Sequence, residues 1–269
     1  MESRNEIRAE SWADLMNILA EDLKHFEGIS RHRNEKAYRG MADADWPITT
    51  SLQRVNKTAF VQIEKHLLRN FRKYAPQDSV LFNTFWNWLA LAQHHGLPTR
   101  VLDWSYSPLI ALHFALENYT EFDNGRDAVI WSVDLENLKQ TLPEQENIRD
   151  RFMRDEAFTF NIETLEELWK SFEDLTTDTE EDFMIFFEPP SFDDRLINQY
   201  ALLSTTRNPE TIVSDWLQKH EDLYRRIVIP NKVKWEFRDR LDQINITERI
   251  IYPGLDGLCM WLGRWYCSK

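Results

Sequence analysis

Apolar residues recur at three- and four-residue intervals along much of this chain. Trp12, Leu15, Ile18, Leu19 and Leu23 predict an amphipathic helix over 9–25, with Ser11 as its N-cap. The same period predicts a helix over 58–74, with Phe60, Ile63, Leu67, Leu68 and Phe71 on one face. Another follows over 82–94, carrying Phe82, Phe85, Trp86, Leu89 and Ala92, and Gly96 and Pro98 end it. Ser107-Pro108 starts a nearly all-apolar helix over 108–118, which should be buried. Further helices are expected near 162–173, near 209–219 and from about Asp256 onward. Strands are expected at 36–41, 100–104, 127–134, 184–187 and 224–229, with 193–203 a helix or turn running into a strand.

These strands are scattered among helices with no regular βαβ rhythm. The pattern therefore predicts an α+β fold, a small mixed or antiparallel sheet flanked by helices. With 269 residues and no Gly/Ser linker, repeat or low-complexity run, the chain reads as a single globular domain over 1–269.

Charge changes this picture in one place. Residues 134–194 hold 19 Asp/Glu against five Lys/Arg, a balance of −14 where the whole chain carries −13. The rest of the molecule is thus close to neutral. The segment 134–183 reads as an acidic helical insertion or outer layer, and 134–194 as a surface for a protein partner. Within the neutral body, residues 51–100 carry seven Lys/Arg against two Asp/Glu, which suits a phosphate-bearing ligand or a solvated helix face. Overall acidity argues against duplex nucleic acid as a partner. Both cysteines, Cys259 and Cys267, lack metal-ligand spacing, so a reducing cytoplasm is the expected setting. The charged start, Met1 to Glu6, has no apolar signal core behind it, and no apolar run approaches a membrane span.

Polar groups crowd into two places. In Tyr38-Arg39-Gly40, the planar fork of Arg39 can clamp a phosphate or carboxylate, or it can pair with a buried Asp such as Asp103. Gly40 admits positive φ or close approach of a ligand. From Gln93 to Ser105, two His, an Arg, an Asp, a Thr and two Gly/Pro breakers lie between apolar segments. Histidines at a helix C-terminus are favoured by its dipole, and adjacent ones face apart, so at most one of His94 and His95 should line a site. A strand over 100–104 would put Arg100 and Leu102 on one face with Trp104, and Asp103 with Ser105 on the other. Asp103 suits a general base, a ribose-hydroxyl acceptor or an ion-pair partner of Arg39 or Arg100. Glu64 sits among Lys65, Arg69, Arg72 and Lys73, where surface charge is the ordinary explanation. A second cluster runs from Asp193 to Gln199. His113, on the apolar helix, is the pattern of a core histidine. Phosphate-loop, dinucleotide-fold, nucleophile-elbow and zinc-protease motifs are absent.

Those same stretches resemble the FRG domain family. Its aromatic-Arg-Gly motif is matched by Tyr38-Arg39-Gly40. Its Gln-His-x-Gly-Leu-Pro-Thr-Arg-Leu-Leu-Asp-Trp-Thr block, followed by Ser-Pro and an Ala-rich helix, is matched by residues 93–115, with Val101 for Leu and Ser105 for Thr. Glu64, Leu67, Leu68 and Phe71 fit the spaced positions between the motifs. Arg195 and Gln199 fit a later Arg…Gln element, and Tyr252 to Gly257 a closing one. The resemblance spans roughly 30–262, with 30–133 and 184–262 bearing the motifs.

At a second level the order of motifs resembles the ADP-ribosyltransferase fold: an Arg on an early strand, a Ser-bearing strand followed by an Ala-rich helix ending in Phe-Ala, and a later Glu. The resemblance implies NAD as substrate and assigns catalytic roles to Arg39, Glu64, His94, Asp103 and Gln199. Tyr38, Gly40, Gln93, Thr99, Arg100, Trp104, Ser105 and Arg195 would bind the nucleotide. Gln199 stands where the Glu is expected, so Glu64 or Asp103 would supply the carboxylate. An enzyme of this kind would suit a toxin or immune effector. The alternatives are a nucleotide- or anion-sensing module without turnover, and a metal-dependent hydrolase or nuclease built on His94, His95 and Asp103.

Overall fold

The computed structural model describes residues 5–55, 60–80, 82–143, 159–176 and 182–268. Its strands are β1 (Glu6–Arg8), β2 (Lys24–Phe26), β3 (Arg31–Arg33), β4 (Lys36–Met41), β5 (Leu102–Ser105), β6 (Ala128–Asp134), β7 (Met184–Phe187), β8 (Ala201–Thr206) and β9 (Tyr224–Ile229). The helices are α1 (Trp12–Glu21), α2 (Ser51–Val55), α3 (Phe60–Tyr74), α4 (Phe85–His94), α5 (Pro108–Ala115), α6 (Leu135–Leu138), α7 (Ile162–Leu168), α8 (Phe172–Thr176), α9 (Asp194–Asn198), α10 (Val213–Gln218), α11 (Lys234–Gln243), α12 (Glu248–Ile251) and α13 (Leu255–Trp265).

Seven strands form one sheet in the order β1-β9-β6-β4-β5-β8-β7, antiparallel except for the β1–β9 pair. The run at 128–134 is apolar without alternation because β6 is central and covered on both faces. On one face, α1, α5 and α11 pack over Tyr38, Ile130, Ile227 and Ile229. On the other, Leu135, Leu138, Val213, Trp216 and Leu217 cover Ala37, Trp104, Val129 and Trp131. A third cluster joins α4 to α7 and α8. The molecule is an α+β single domain, as the pattern predicted.

One junction in the sheet is thin. β4 pairs with β6 through six residues and β5 with β8 through four, but β4 and β5 pair only at Tyr38 and Ser105. Beyond that position β4 has no ladder partner on its β5 side. Over one face of β4, α5 lies so close that a Cβ on Gly40 would come 1.7 Å from the Ala111 carbonyl oxygen. Gly40 therefore serves helix-on-strand packing, and its φ is not positive.

Differences from expectation have local causes. Ser11 caps α1, accepting from the Asp14 N–H at 3.1 Å, but the helix stops at Glu21 and leaves Leu23 exposed. Phe82 likewise precedes α4 and is exposed. α5 ends at Ala115 rather than 118, and α10 begins at Val213 rather than near 209. β5 starts at Leu102, so Arg100 shares no strand face with Trp104. Positions 58 and 59 of the predicted helix fall outside the described residues. β1 and the β2–β3 hairpin escaped the pattern because they are three residues long and mostly charged. The acidic segment has a genuine apolar side where it is described: Ile162, Leu165, Trp169, Phe172 and Leu175 bury against α4, while 144–158 and 177–181 lie outside the described residues.

Candidate functional site

A cavity of about 660 Å³ is lined by residues from both β4 and β5. β4 contributes Tyr38, Arg39 and Gly40, and β5 contributes Asp103, Trp104 and Ser105. The C-terminal end of α4 and its αL turn at Gly96 (φ 80°) bring in Gln93 to Leu97. α2 adds Ser51 and Arg54, the end of α5 adds Phe114 and Glu117, and α9 adds Arg195, Leu196 and Gln199, with Ala201 from β8. The two polar stretches of the sequence and the later Arg…Gln pair thus meet at one place.

Arg39 is half-buried, with its Nε enclosed and without a partner, and its Nη1 donates to the Asp103 carbonyl oxygen. Burial pushes its pKa below the ordinary value, the Asp103 carboxylate pulls it up and Arg54 pushes it down. The Asp103 side chain points outward and accepts from Gln93 Nε2 at 2.7 Å. Gln93 in turn accepts the Thr99 hydroxyl at 2.5 Å, and Thr99 N–H donates to Ser51 Oγ at 3.1 Å. The amide of Gln93 is therefore oriented, and it fixes which Asp103 oxygen stays available. Arg54 donates to the Thr49 carbonyl at 2.6 Å.

At another part of the lining, the Arg195 guanidinium stacks 5.0 Å from the centre of the Tyr252 ring. Tyr252 donates to Glu117 Oε1 at 2.6 Å. Burial and the Glu117 charge hold the Tyr252 hydroxyl protonated, well above its ordinary pKa. Gln199 donates to the Ile251 carbonyl at 3.3 Å and accepts the Ser105 hydroxyl on its own carbonyl at 2.8 Å. His94 Nε2 lies 2.8 Å from Asp193 Oδ2. Burial raises the Asp193 carboxyl, but the bonds from His94, Leu196 N–H and Arg195 N–H hold it below its ordinary value. An ionised carboxylate can only accept, so His94 carries its proton on Nε2.

Several sequence candidates lie elsewhere or play another part. Glu64 and Arg100 do not line the cavity: they form a buried bidentate pair at 2.5 and 2.7 Å, with Arg100 over the Phe172 ring at 4.5 Å. Thr99 is buried behind Gln93. Tyr38 lines the wall but directs its hydroxyl to Asp22 at 2.9 Å, and Trp104 donates to Ser204 at 2.8 Å. Asp103 makes no ion pair among the described residues, and Arg39 reaches its backbone instead. Both His94 and His95 line the cavity, their rings meeting edge-on 5.2 Å apart at the end of α4, where His95 is the C-cap. His113 is fully buried, accepting from Arg238 at 2.7 Å on Nδ1. No group of three His, Cys, Asp or Glu placed to hold a metal exists among the described residues. Sequence reasoning missed Arg54 and Glu117. Arg54 sits on a five-residue helix too short to show a period, whereas Glu117 was visible as the first charge after the apolar α5 run.

The arrangement presents three guanidiniums and two carboxylates around a cavity of small-molecule size. It can grip an anionic group with its cations while carboxylates accept from hydroxyls. A family model described as FRG domain matches residues 34–124, which include Tyr38-Arg39-Gly40 and the whole 93–115 block. No curated protein and no solved structure matches the chain. No helix among the described residues is long and apolar enough to cross a membrane.

Proposed function

With residues 34–124 forming an FRG domain, we propose that the cavity binds NAD or a related nucleotide and that the protein is an ADP-ribosyltransferase-like enzyme. One observation carries this reading: Arg39, Ser105 and Gln199, which lie far apart in the sequence, converge where β4 meets β5 and β8. That is the order the resemblance to ADP-ribosyltransferases implies. Arg39 and Arg54 supply positive charge for the pyrophosphate. Asp103 Oδ1 accepts no hydrogen bond among the described residues and can take one from a ribose hydroxyl. In the transfer step the bond from ribose C1′ to the nicotinamide nitrogen breaks, and its electron pair leaves with neutral nicotinamide. Water or an acceptor hydroxyl bonds C1′, and its proton passes to Asp103 and on to solvent. The Asp103 charge favours the cationic ribose that forms between these events. Such an activity suits a toxin or defence effector.

The test is mass spectrometry of NAD incubated with the protein, with Arg39→Ala alongside. Release of nicotinamide by the wild type alone is the expected result. Intact NAD after long incubation overturns the enzyme reading.

Gln199 supports a second reading. It is neutral and anchored on Ile251, so the position at which the ADP-ribosyltransferase resemblance expects a Glu carries no charge here. A sensing module that binds the nucleotide without turnover fits this, and saturable binding with intact NAD distinguishes it.

A further inference from the structure

Glu117 and Arg195 stand beside the transfer machinery without a part in it. Glu117 is half-buried in the cavity lining, and only Oε1 is engaged, by the Tyr252 hydroxyl. Its Oε2 accepts no hydrogen bond among the described residues. Because Tyr252 stays protonated, its donated bond holds the carboxylate in one orientation. Arg195 sits over the same Tyr252 ring, and its side chain donates no hydrogen bond among the described residues, with Nε enclosed. The enclosed Nε is costly to leave without an acceptor, and the terminal N–H groups are open to whatever enters the cavity. One tyrosine thus positions both an open acceptor and an open donor on the wall of the same cavity.

We propose that Glu117 and Arg195 form a subsite that reads an edge presenting an N–H donor next to an acceptor. Glu117 Oε2 accepts the amine N–H and an Arg195 N–H donates to the neighbouring ring nitrogen or carbonyl oxygen. This rests on the nucleotide reading above and adds its specificity. A dinucleotide carries two such edges, the aminopurine of adenine and the carboxamide of nicotinamide. Both share the chemistry, so the experiment separates them.

Dissociation constants are measured for NAD, for nicotinamide hypoxanthine dinucleotide and for nicotinic acid adenine dinucleotide. The first analogue replaces the adenine amine by a carbonyl and puts a hydrogen on N1, so that donor and acceptor exchange places on that edge, and the second replaces the carboxamide by a carboxylate. Wild type is expected to bind one of the analogues about ten-fold or more weaker than NAD, since an acceptor then faces Glu117. The weakened analogue identifies the edge that is read. Glu117→Gln, which keeps shape and offers an amide N–H, should lose that preference, and Arg195→Gln should weaken it. Arg39→Ala should weaken all three ligands equally. Equal affinity of wild type for all three, or an unchanged ratio in a folded Glu117→Gln, overturns the subsite and leaves the nucleotide reading standing. No binding of any of the three by wild type overturns both.

Discussion

Gln93 donates to Asp103 Oδ2 at 2.7 Å while its other end takes the Thr99 hydroxyl at 2.5 Å. The backbone of Thr99 is itself tied to Ser51. The outermost carboxylate of the cavity is thus aimed by a chain of neutral groups reaching back into buried structure, and among the described residues it forms no ion pair, Arg39 acting on it only at a distance. A carboxylate held in this way keeps its charge available to a ligand.

Gln93→Leu removes the aiming group and leaves the Thr99 hydroxyl without its acceptor. Stability should fall by about 1 kcal/mol, the ordinary value of one such bond. Nicotinamide release should fall by about ten-fold or more, because small misplacements of a reacting group are expensive. Thermal melting and single-turnover assays separate the two effects.

Glu64→Ala or Arg100→Ala strands a buried charge, and each should cost about 3–5 kcal/mol in urea unfolding. Pairing Glu64→Leu with Arg100→Met should restore most of that loss. If Glu64→Gln instead abolished activity at unchanged stability, the pair would have a role in chemistry that its position behind the cavity does not suggest.

Gly40→Ala places a methyl group against the Ala111 carbonyl on α5. The backbone on both sides is packed, so strain of about 3 kcal/mol or more is expected. Low soluble yield or a sharply lowered melting temperature is the outcome to look for, whether or not ligand is present.

His113 is held neutral in the fold: burial, then the neighbouring Arg238 charge, pull its pKa from 6.5 to about 3. The unfolded chain takes up a proton there below about pH 6.5 and the native state does not. Stability present above pH 6.5 is therefore lost as pH falls toward 3, by about 1.4 kcal/mol per pH unit from this group alone. Denaturant unfolding of His113→Gln between pH 7 and 4.5 should show a shallower fall than wild type. Equal slopes would mean that His113 protonates in the native state.

Much of this fold was legible because it follows from local periodicity. The Ser11 cap, the buried α5 behind Ser107-Pro108 and the central strand at 128–134 each depend on residues adjacent in the chain. Element ends were less legible: Leu23 and Phe82 continue an apolar period that the helices do not, since the last and first turns are decided by what lies against them. The edge strand β1 is three residues held by β9, and nothing within Glu6-Ile7-Arg8 demands a strand.

For the site, residue types and spacing by themselves determined that Arg39, Gln93, His94, Asp103 and Arg195 were worth singling out, since their charge and hydrogen-bonding demands are written in the side chains. Which of them meet was decided only by the tertiary structure. Glu64 and Asp103 are both carboxylates near basic residues in the sequence, yet one is buried against Arg100 and the other faces the cavity. Glu117 gained its orientation from Tyr252, 135 positions away. Contacts between residues so distant in the chain depend on strand order and helix placement, and no local pattern of polar and apolar residues records them.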